Sequence, residues 1–160
     1  MGILVDRLTS DDWRVLRDIR LVALADAPYA YGSTLARERI FTERQWRDRI
    51  ERAGCLNAVA MVDAEPVGMI GAFPQDPSTV MLVAMWAHPA HRGRGIADAL
   101  VTDLLAWARE NGWSRVELRV ADGNTAARKL FLRHGFAPTG VREPLESDPT
   151  VGTEYLARPV

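Results

Sequence analysis

The sequence contains very little cysteine and very little lysine. Cys55 is the only cysteine among 160 residues, so the chain can form no internal disulfide and is expected to hold no cysteine-based metal site. Lys129 is the only lysine, and this bias toward arginine indicates a GC-rich bacterial coding sequence. The formal net charge is −1, so the chain lacks the broad positive electrostatic field that nucleic-acid binding requires. We therefore expect neither a metal ion nor a nucleic-acid partner.

Long hydrophobic segments are also missing. The longest apolar run, residues 80–87, has the length of a strand and falls far short of the ~20 residues that cross a bilayer. The N-terminal segment MGILVDRLTS has no basic region followed by a long apolar core, so no signal peptide is expected. The sequence predicts a cytoplasmic protein without a membrane partner, folded as one domain over residues 1–160.

Capping residues and apolar periodicity divide the chain into strands and helices. Leu56–Asp63 and Val67–Phe73 form a predicted hairpin with a turn at residues 64–66, and a βαβ crossover is predicted from residue 79 to residue 121. The full pattern predicts strands over 3–8, 56–63, 67–73, 79–88, 114–121, 136–141 and 154–157, helices over 9–26, 42–54, 95–111 and 124–134, and loops over 26–34 and 142–150. This order predicts an α/β fold with a mixed, mostly antiparallel central sheet of six to seven strands flanked by about four helices.

The segment HRGRGIADAL, residues 91–100, joins the central apolar strand to the longest helix. The first N–H groups of a helix have no partners within it, and the helix dipole adds positive charge there. Gly93 and Gly95 have no side chains, so a bulky anion can approach the amides of residues 93–97, with Arg92 and Arg94 at the rim. The third glycine of the dinucleotide fingerprint and the Gly-Lys-Ser/Thr of a P-loop are absent. We interpret the segment as a diphosphate site; the alternative is a tight turn with solvated arginines.

Two motifs resemble the GNAT superfamily of acyl-CoA-dependent N-acetyltransferases. RGRGIA at residues 92–97 is similar to the family's Arg/Gln-x-x-Gly-x-Gly/Ala, and NTAARKLFLRHGF at residues 124–136 is similar to its N-x-x-A-x-x-L-[YF]-x-x-x-G-F segment. The motifs and their spacing match over about residues 79–137, and the predicted elements fit the family's fold over the whole chain. The resemblance implies acetyl-CoA as co-substrate, no metal, an amine acceptor that is a small molecule or a peptide, and a possible homodimer.

The resemblance also implies a set of residues for the coenzyme. Amides of residues 93–97 would hold the pyrophosphate, the strand end at residues 85–87 would pair with the pantetheine arm as with an added strand, and Asn124 would bind near the thiol or cap its helix. The strand over residues 114–121 is expected to diverge from that strand end and leave its backbone groups free. The implied coenzyme-binding residues are Met85, Trp86, Ala87, Arg92, Gly93, Arg94, Gly95, Ile96, Ala97, Asn124 and Phe131.

Phe131 stands where many family members have a tyrosine that is thought to protonate the leaving thiolate. Because Phe131 has no proton to give, either water or another residue supplies it, or the domain binds acyl-CoA with little turnover. Glu38, Tyr31 and Tyr155 are the candidate catalytic groups, and Glu38 is also a candidate for recognising a cationic amine. Three functions stay open: a small-molecule N-acetyltransferase, an acyl-CoA-binding sensor, and a protein or peptide N-acetyltransferase.

Overall fold

Residues 2–28 and 31–160, which the computed structural model describes, form a mixed sheet of seven strands. The strands are β1 (Leu4–Arg7), β2 (Leu56–Val62), β3 (Glu65–Pro74), β4 (Thr79–Ala87), β5 (Arg115–Ala121), β6 (Ala137–Leu145) and β7 (Asp148–Pro159). They lie in the order β1-β2-β3-β4-β5-β7-β6, and only the β4–β5 pair is parallel. The predicted mixed, mostly antiparallel α/β fold is confirmed.

The sheet carries helices on both faces. The helices are α1 (Trp13–Asp26), α2 (Leu35–Glu38), α3 (Glu43–Glu51), α4 (Ile96–Glu110) and α5 (Thr125–Arg133), with single 3₁₀ turns at Ser10–Asp12 and Pro89–His91. Side chains of α4 and α5 share one core with alternate strand residues such as Ala58 and Ala60, whereas Val59 points to the other face and packs with α1. No helix in the described ranges is both long and apolar enough to span a membrane.

The apolar face of α1 and the first residues of α3 agree with the predictions made from apolar spacing and capping residues. The apolar positions of α1 at helical spacing are all buried, namely Trp13, Leu16, Ile19, Ala23 and Leu24. At α3, the Gln45 amide donates to Thr42 Oγ1 and the Thr42 amide donates to Gln45 Oε1, which is the predicted capping box. α1 and α3 lie on the face of the sheet opposite α4 and α5.

Two local predictions are wrong. The β2–β3 turn is Asp63–Ala64 rather than residues 64–66, because both residues adopt positive φ (50° and 64°) in a two-residue turn. Residues 142–150, predicted as a loop, form the end of β6, a short turn and the start of β7. The short helix α2 lies between the first two predicted helices, so the described residues form five α-helices, in agreement with the predicted count of about four.

Candidate active site

The parallel strands β4 and β5 separate along their length. They pair at Thr79–Arg115, Val80–Val116 and Met81–Glu117, and the register ends there. Beyond this point β5 remains paired with β7 as far as Ala121, so residues 82–87 of β4 face a gap instead of a neighbouring strand. A cavity of about 670 Å³ occupies this gap. The predicted divergence of the two strands is thus present in the structure.

A bulge reshapes β4 beside the gap. Val83 pairs with Gly71 and Trp86 pairs with Met69, so Ala84 and Met85 together stand opposite a single residue of β3. Ala84 adopts φ of 57°, a left-handed conformation that costs an alanine ~1 kcal/mol. Bulges of this kind re-aim side chains and interrupt pairing next to active sites. Here the bulge leaves the Met85 side chain lining the cavity and turns Trp86 toward α1.

The loop after β4 leaves open space above the first turn of α4. Gly93 and Gly95 have φ of 76° and 86°, a region that favours glycine. A methyl group added at Gly93 would meet no atom within 4 Å, and one at Gly95 would lie 3.9 Å from Ile3 Cδ1. Because β4 and β5 are parallel, the N-termini of α4 and α5 both lie at the end where the strands separate. This geometry can accept a bulky anion on the α4 amides.

The two arginines of the loop differ in their partners. Arg92 donates from Nε to the Ala87 carbonyl at 3.0 Å and from Nη2 to Asp26 Oδ2 at 2.8 Å. Asp26 also accepts the Trp86 indole N–H at 2.9 Å, and these donors hold the pKa of Asp26 below its usual value. Arg94 is exposed and forms no ion pair within residues 2–28 and 31–160. The guanidinium available at the rim is therefore that of Arg94, whereas Arg92 fastens the loop to α1.

Asn124 and Phe131 line the same cavity from α5. Asn124 Oδ1 accepts the Ala127 amide at 3.3 Å, so Asn124 is the helix cap that the alternative interpretation predicted. Phe131 is buried, with its ring centre 5.7 Å from that of Phe136 in an edge-on arrangement. Ile96 is also buried, beneath the loop. Asn124 and Phe131 thus place one end of the cavity on the α4–α5 side of the sheet.

Glu38, a predicted catalytic group, is fully buried. Its carboxylate accepts two hydrogen bonds from Arg20, at 2.9 and 3.1 Å, and one from Arg49 at 3.1 Å. Burial raises the pKa of Glu38, but hydrogen bonds from Arg20 and Ser33 more than offset this and lower it to about 2. A carboxylate so weakly basic and so fully paired is unsuited to taking a proton from an amine. The structure therefore argues against Glu38 as a general base.

The two candidate tyrosines both line the cavity. The guanidinium carbon of Arg20 lies over the Tyr31 ring, 4.7 Å from the ring centre. Burial raises the pKa of Tyr31 to about 12. The Tyr155 hydroxyl donates to Glu143 Oε2 at 2.9 Å, and burial together with this carboxylate raises its pKa. Both phenols are protonated at neutral pH, so each can donate a proton.

The sequence interpretation missed the arginines that line the cavity. Arg20 on α1, Arg49 and Arg52 at the end of α3, and Arg119 on β5 all line the cavity. The spacing of Arg49 and Arg52 places them on one side of a helix, which is the only local signal for this cluster. In the described part of the chain, no group of histidine, cysteine or acidic side chains has the arrangement of a metal site.

Comparison with known proteins points to one family. The sequence profile of the acetyltransferase (GNAT) family matches residues 16–136. L-2,4-diaminobutyric acid acetyltransferase from Streptomyces avermitilis is 30% identical over 145 residues, covering 84% of this chain and 73% of that protein. Human N-acetyltransferase 8 is 37% identical over 95 residues, covering 56% of this chain, and the match spans 41% of the human protein's length.

Solved structures share the fold along the whole chain. The ribosomal-protein-alanine N-acetyltransferase from Brucella melitensis has a TM-score of 0.80 at 21% identity, covering 98% of this chain and 99% of that one. The PaiA N-acetyltransferase from Thermoplasma acidophilum, solved in complex with coenzyme A, has a TM-score of 0.74 at 15% identity, covering 100% of both chains. At these identities the likeness concerns the fold.

Proposed function

The chain belongs to the GNAT family of acetyltransferases, and from this premise we propose that it transfers an acetyl group from acetyl-CoA to the primary amine of a small molecule. One observation carries the proposal: the cavity in the gap between β4 and β5 is lined by Asn124 and Phe131 of α5 on one side of the sheet and by Arg20, Arg49 and Arg52 on the other. A thioester that enters the gap from the α5 side comes within reach of an amine bound on the arginine side.

The residues beside the gap fit coenzyme A. The amides at the start of α4 would hold the pyrophosphate, with Arg94 free to add a charged contact. The unpaired edge of β4 at residues 82–87 would hydrogen-bond the amides of the pantetheine arm in the manner of an added strand. Phe131 would pack against the arm, because it is apolar and lines the cavity.

The acetyl group would pass directly from sulfur to nitrogen. The neutral amine attacks the thioester carbonyl, the C–S bond breaks, the nitrogen releases a proton to water as the amide forms, and the thiolate takes up a proton. We assign this proton to Tyr155, because Phe131 has none to give and the Tyr155 hydroxyl lies in the same cavity. Glu143, hydrogen-bonded to that hydroxyl and exposed, connects it to solvent protons. Holding the two reactants in line in the gap supplies the main rate advantage.

The shape of the pocket favours a small acceptor over a protein. The tip of the β6–β7 hairpin lies against the loop after α1: a methyl group added at Gly32 would lie 3.6 Å from the Glu146 carboxylate. The hairpin therefore covers the acceptor side of the cavity. The name of the Streptomyces relative, which gives an amino acid as its substrate, also favours a small amine. Location in the cytoplasm and assembly as a homodimer stay predictions.

A matched pair of glycine variants tests the coenzyme site. Gly93 and Gly112 have φ of 76° and 77°, and an added methyl group meets no atom within 4 Å at either position. Gly93→Trp and Gly112→Trp thus carry the same backbone strain, but only the first side chain covers the amides of α4. Calorimetry should give micromolar binding of CoA to the wild type and to Gly112→Trp, and binding at least ~10-fold weaker to Gly93→Trp. An equal loss in both variants, or no binding by the wild type, would contradict the site.

The transfer step is tested by release of free thiol from acetyl-CoA with a panel of amines. The wild type should release thiol with at least one small amine. Tyr155→Phe should lower kcat at least ~10-fold, because a general acid contributes at least that much, while its affinity for CoA stays unchanged. An unchanged kcat in Tyr155→Phe would remove Tyr155 from the mechanism, and no thiol release with any amine would remove the transferase proposal.

A further inference from the structure

One wall of the acceptor pocket holds three arginines around a single carboxylate. Arg20 and Arg49 both donate to Glu38, which is completely buried between them. Arg52, which follows at the end of α3, is exposed and forms no ion pair with the residues the structure describes. Burial lowers the pKa of Arg49, and the charges of Arg20 and Arg52 lower it further. With three arginines and one carboxylate, this wall therefore carries two positive charges that no group of the described residues neutralises.

The opposite wall holds a fourth arginine that is incompletely satisfied. Arg119 Nη2 donates to the Pro144 carbonyl at 3.1 Å and to Thr153 Oγ1 at 3.2 Å, and lies 3.6 Å from Glu143 Oε2. Its Nε is buried and has no hydrogen-bond partner within residues 2–28 and 31–160. A buried guanidinium N–H without an acceptor is unfavourable, so a ligand that supplies an acceptor gains from binding here.

Acidic groups around the pocket are fewer and mostly engaged. Glu38 is shared by two arginines, and Glu143 accepts the Tyr155 hydroxyl. Among the described residues that line the cavity, Glu146 at the hairpin tip is the one carboxylate. The expectation that Glu38 recognises a cationic amine does not fit this balance, because Glu38 is already paired with Arg20 and Arg49 and the wall formed by α1 and α3 attracts an anion.

We propose that the acceptor is an amino acid, or a similar small amine bearing a carboxylate, and that Arg49 and Arg52 bind its carboxylate. This inference rests on the proposed transferase function and names its substrate class. Arg20 holds Glu38 in place. The planar guanidinium groups of Arg49 and Arg52 present paired N–H donors to the carboxylate of the acceptor. The amine of the bound molecule then points toward the gap between β4 and β5.

Matched acceptors that differ only in the carboxylate test this proposal. The pairs are L-2,4-diaminobutyrate with 1,3-diaminopropane, L-lysine with cadaverine, and L-phenylalanine with phenethylamine. Each is titrated calorimetrically into wild-type protein saturated with CoA, and each is assayed for acetyl transfer. In at least one pair the carboxylate-bearing member should bind at least ~10-fold tighter, and in no pair should it bind more weakly. Equal binding within every pair, tighter binding of a carboxylate-free amine, or no binding in any pair overturns the proposal.

Variants at two arginines, one on α3 and one directly after it, assign the effect to the pocket. Arg52→Gln should reduce the preference for the carboxylate-bearing member at least ~10-fold, and Arg52→Lys should retain part of it, because lysine keeps the charge without the planar fork. Arg44→Gln is the control: Arg44 lies on α3, is exposed, and pairs with Asp48 at 2.9 Å outside the cavity. Neither Gln variant should change the affinity for CoA. Equal weakening of both members by Arg52→Gln, or no effect, overturns the assignment.

The outcomes separate this proposal from the transferase proposal. Carboxylate-dependent binding that Arg52→Gln abolishes, without thiol release for any amine, keeps the carboxylate site and rejects the transfer reaction. Thiol release with carboxylate-free amines as efficient as with amino acids keeps the transfer reaction and rejects the carboxylate site.

Discussion

Glu38 is a buried anion that joins separate segments of the chain. Its carboxylate binds Arg20 on α1 and Arg49 on α3, and a hydrogen bond from Ser33 in the loop between them also lowers its pKa. A buried carboxylate is tolerated when it is paired and hydrogen-bonded, and removing it leaves buried positive charge without compensation. Glu38 therefore shapes the acceptor pocket by fixing the positions of two guanidinium groups.

Glu38→Gln should lower the free energy of unfolding by about 3 kcal/mol at pH 7, because the two arginines lose their anion. The pKa of Glu38 is about 2 in the folded protein against 4.5 for an ordinary glutamate. Its ion pairs therefore stabilise the fold above pH 4.5, and this contribution is lost as the pH falls toward 2. Urea unfolding of wild type and variant at a series of pH values should show their difference shrinking over that interval. A difference that is constant with pH would show that the charge of Glu38 is not its cause.

Helices and strands that are determined by neighbouring residues could be predicted from the sequence. The buried face of α1, the capping box at Thr42 and the apolar stripe of α4 were all predictable from neighbouring residues. The β6–β7 hairpin was not, because Pro144 and Pro149 and the acidic residues around them are typical of loops. β6 tolerates proline because it is an edge strand, and its pairing is decided by distant residues.

The candidate site divides in the same way. The glycine loop is a contiguous motif, so its place before α4 and its open geometry could be predicted from the sequence. The pocket arginines come from α1, α3 and β5, which meet only after folding, so their convergence could not. Glu38 pairs with arginines because folding buries it, and the neighbouring sequence does not indicate that burial.

The contact of α4 with β3 depends on a glycine. A methyl group added at Gly68 would lie 2.7 Å from Ile96 Cγ2 and 2.9 Å from the Trp86 carbonyl oxygen. Gly68→Ala should therefore lower the free energy of unfolding by ~2 kcal/mol, since the neighbouring backbone must shift. Gly71→Ala, on the same strand, meets only contacts of 3.4 Å or longer and should change it by less than ~0.5 kcal/mol. Urea unfolding measures both, and equal effects would contradict close approach at Gly68.

At the scale of the whole molecule, the sheet consists of two parts joined at one end. β1 to β4 form one part, β5 to β7 form the other, and three residue pairs at Thr79–Met81 connect them. A ligand in the gap would contact both parts, so the separation that forms the site also weakens the middle of the sheet. Coenzyme binding is thereby coupled to the stability of the fold.

Coenzyme A at 100 times its Kd should add ~2.7 kcal/mol to the free energy of unfolding, since it binds the folded chain alone. For a chain of this length that corresponds to a rise in Tm of ~5–10 °C. Hydrogen exchange at short labelling times, which reports local opening, should slow most at residues 82–87, because their edge amides gain partners. Residues 58–61 of β2, which pair with β1 on one side and β3 on the other, provide the internal control and should change little. Equal slowing in both segments would show that the coenzyme stabilises the protein without occupying the open edge of β4.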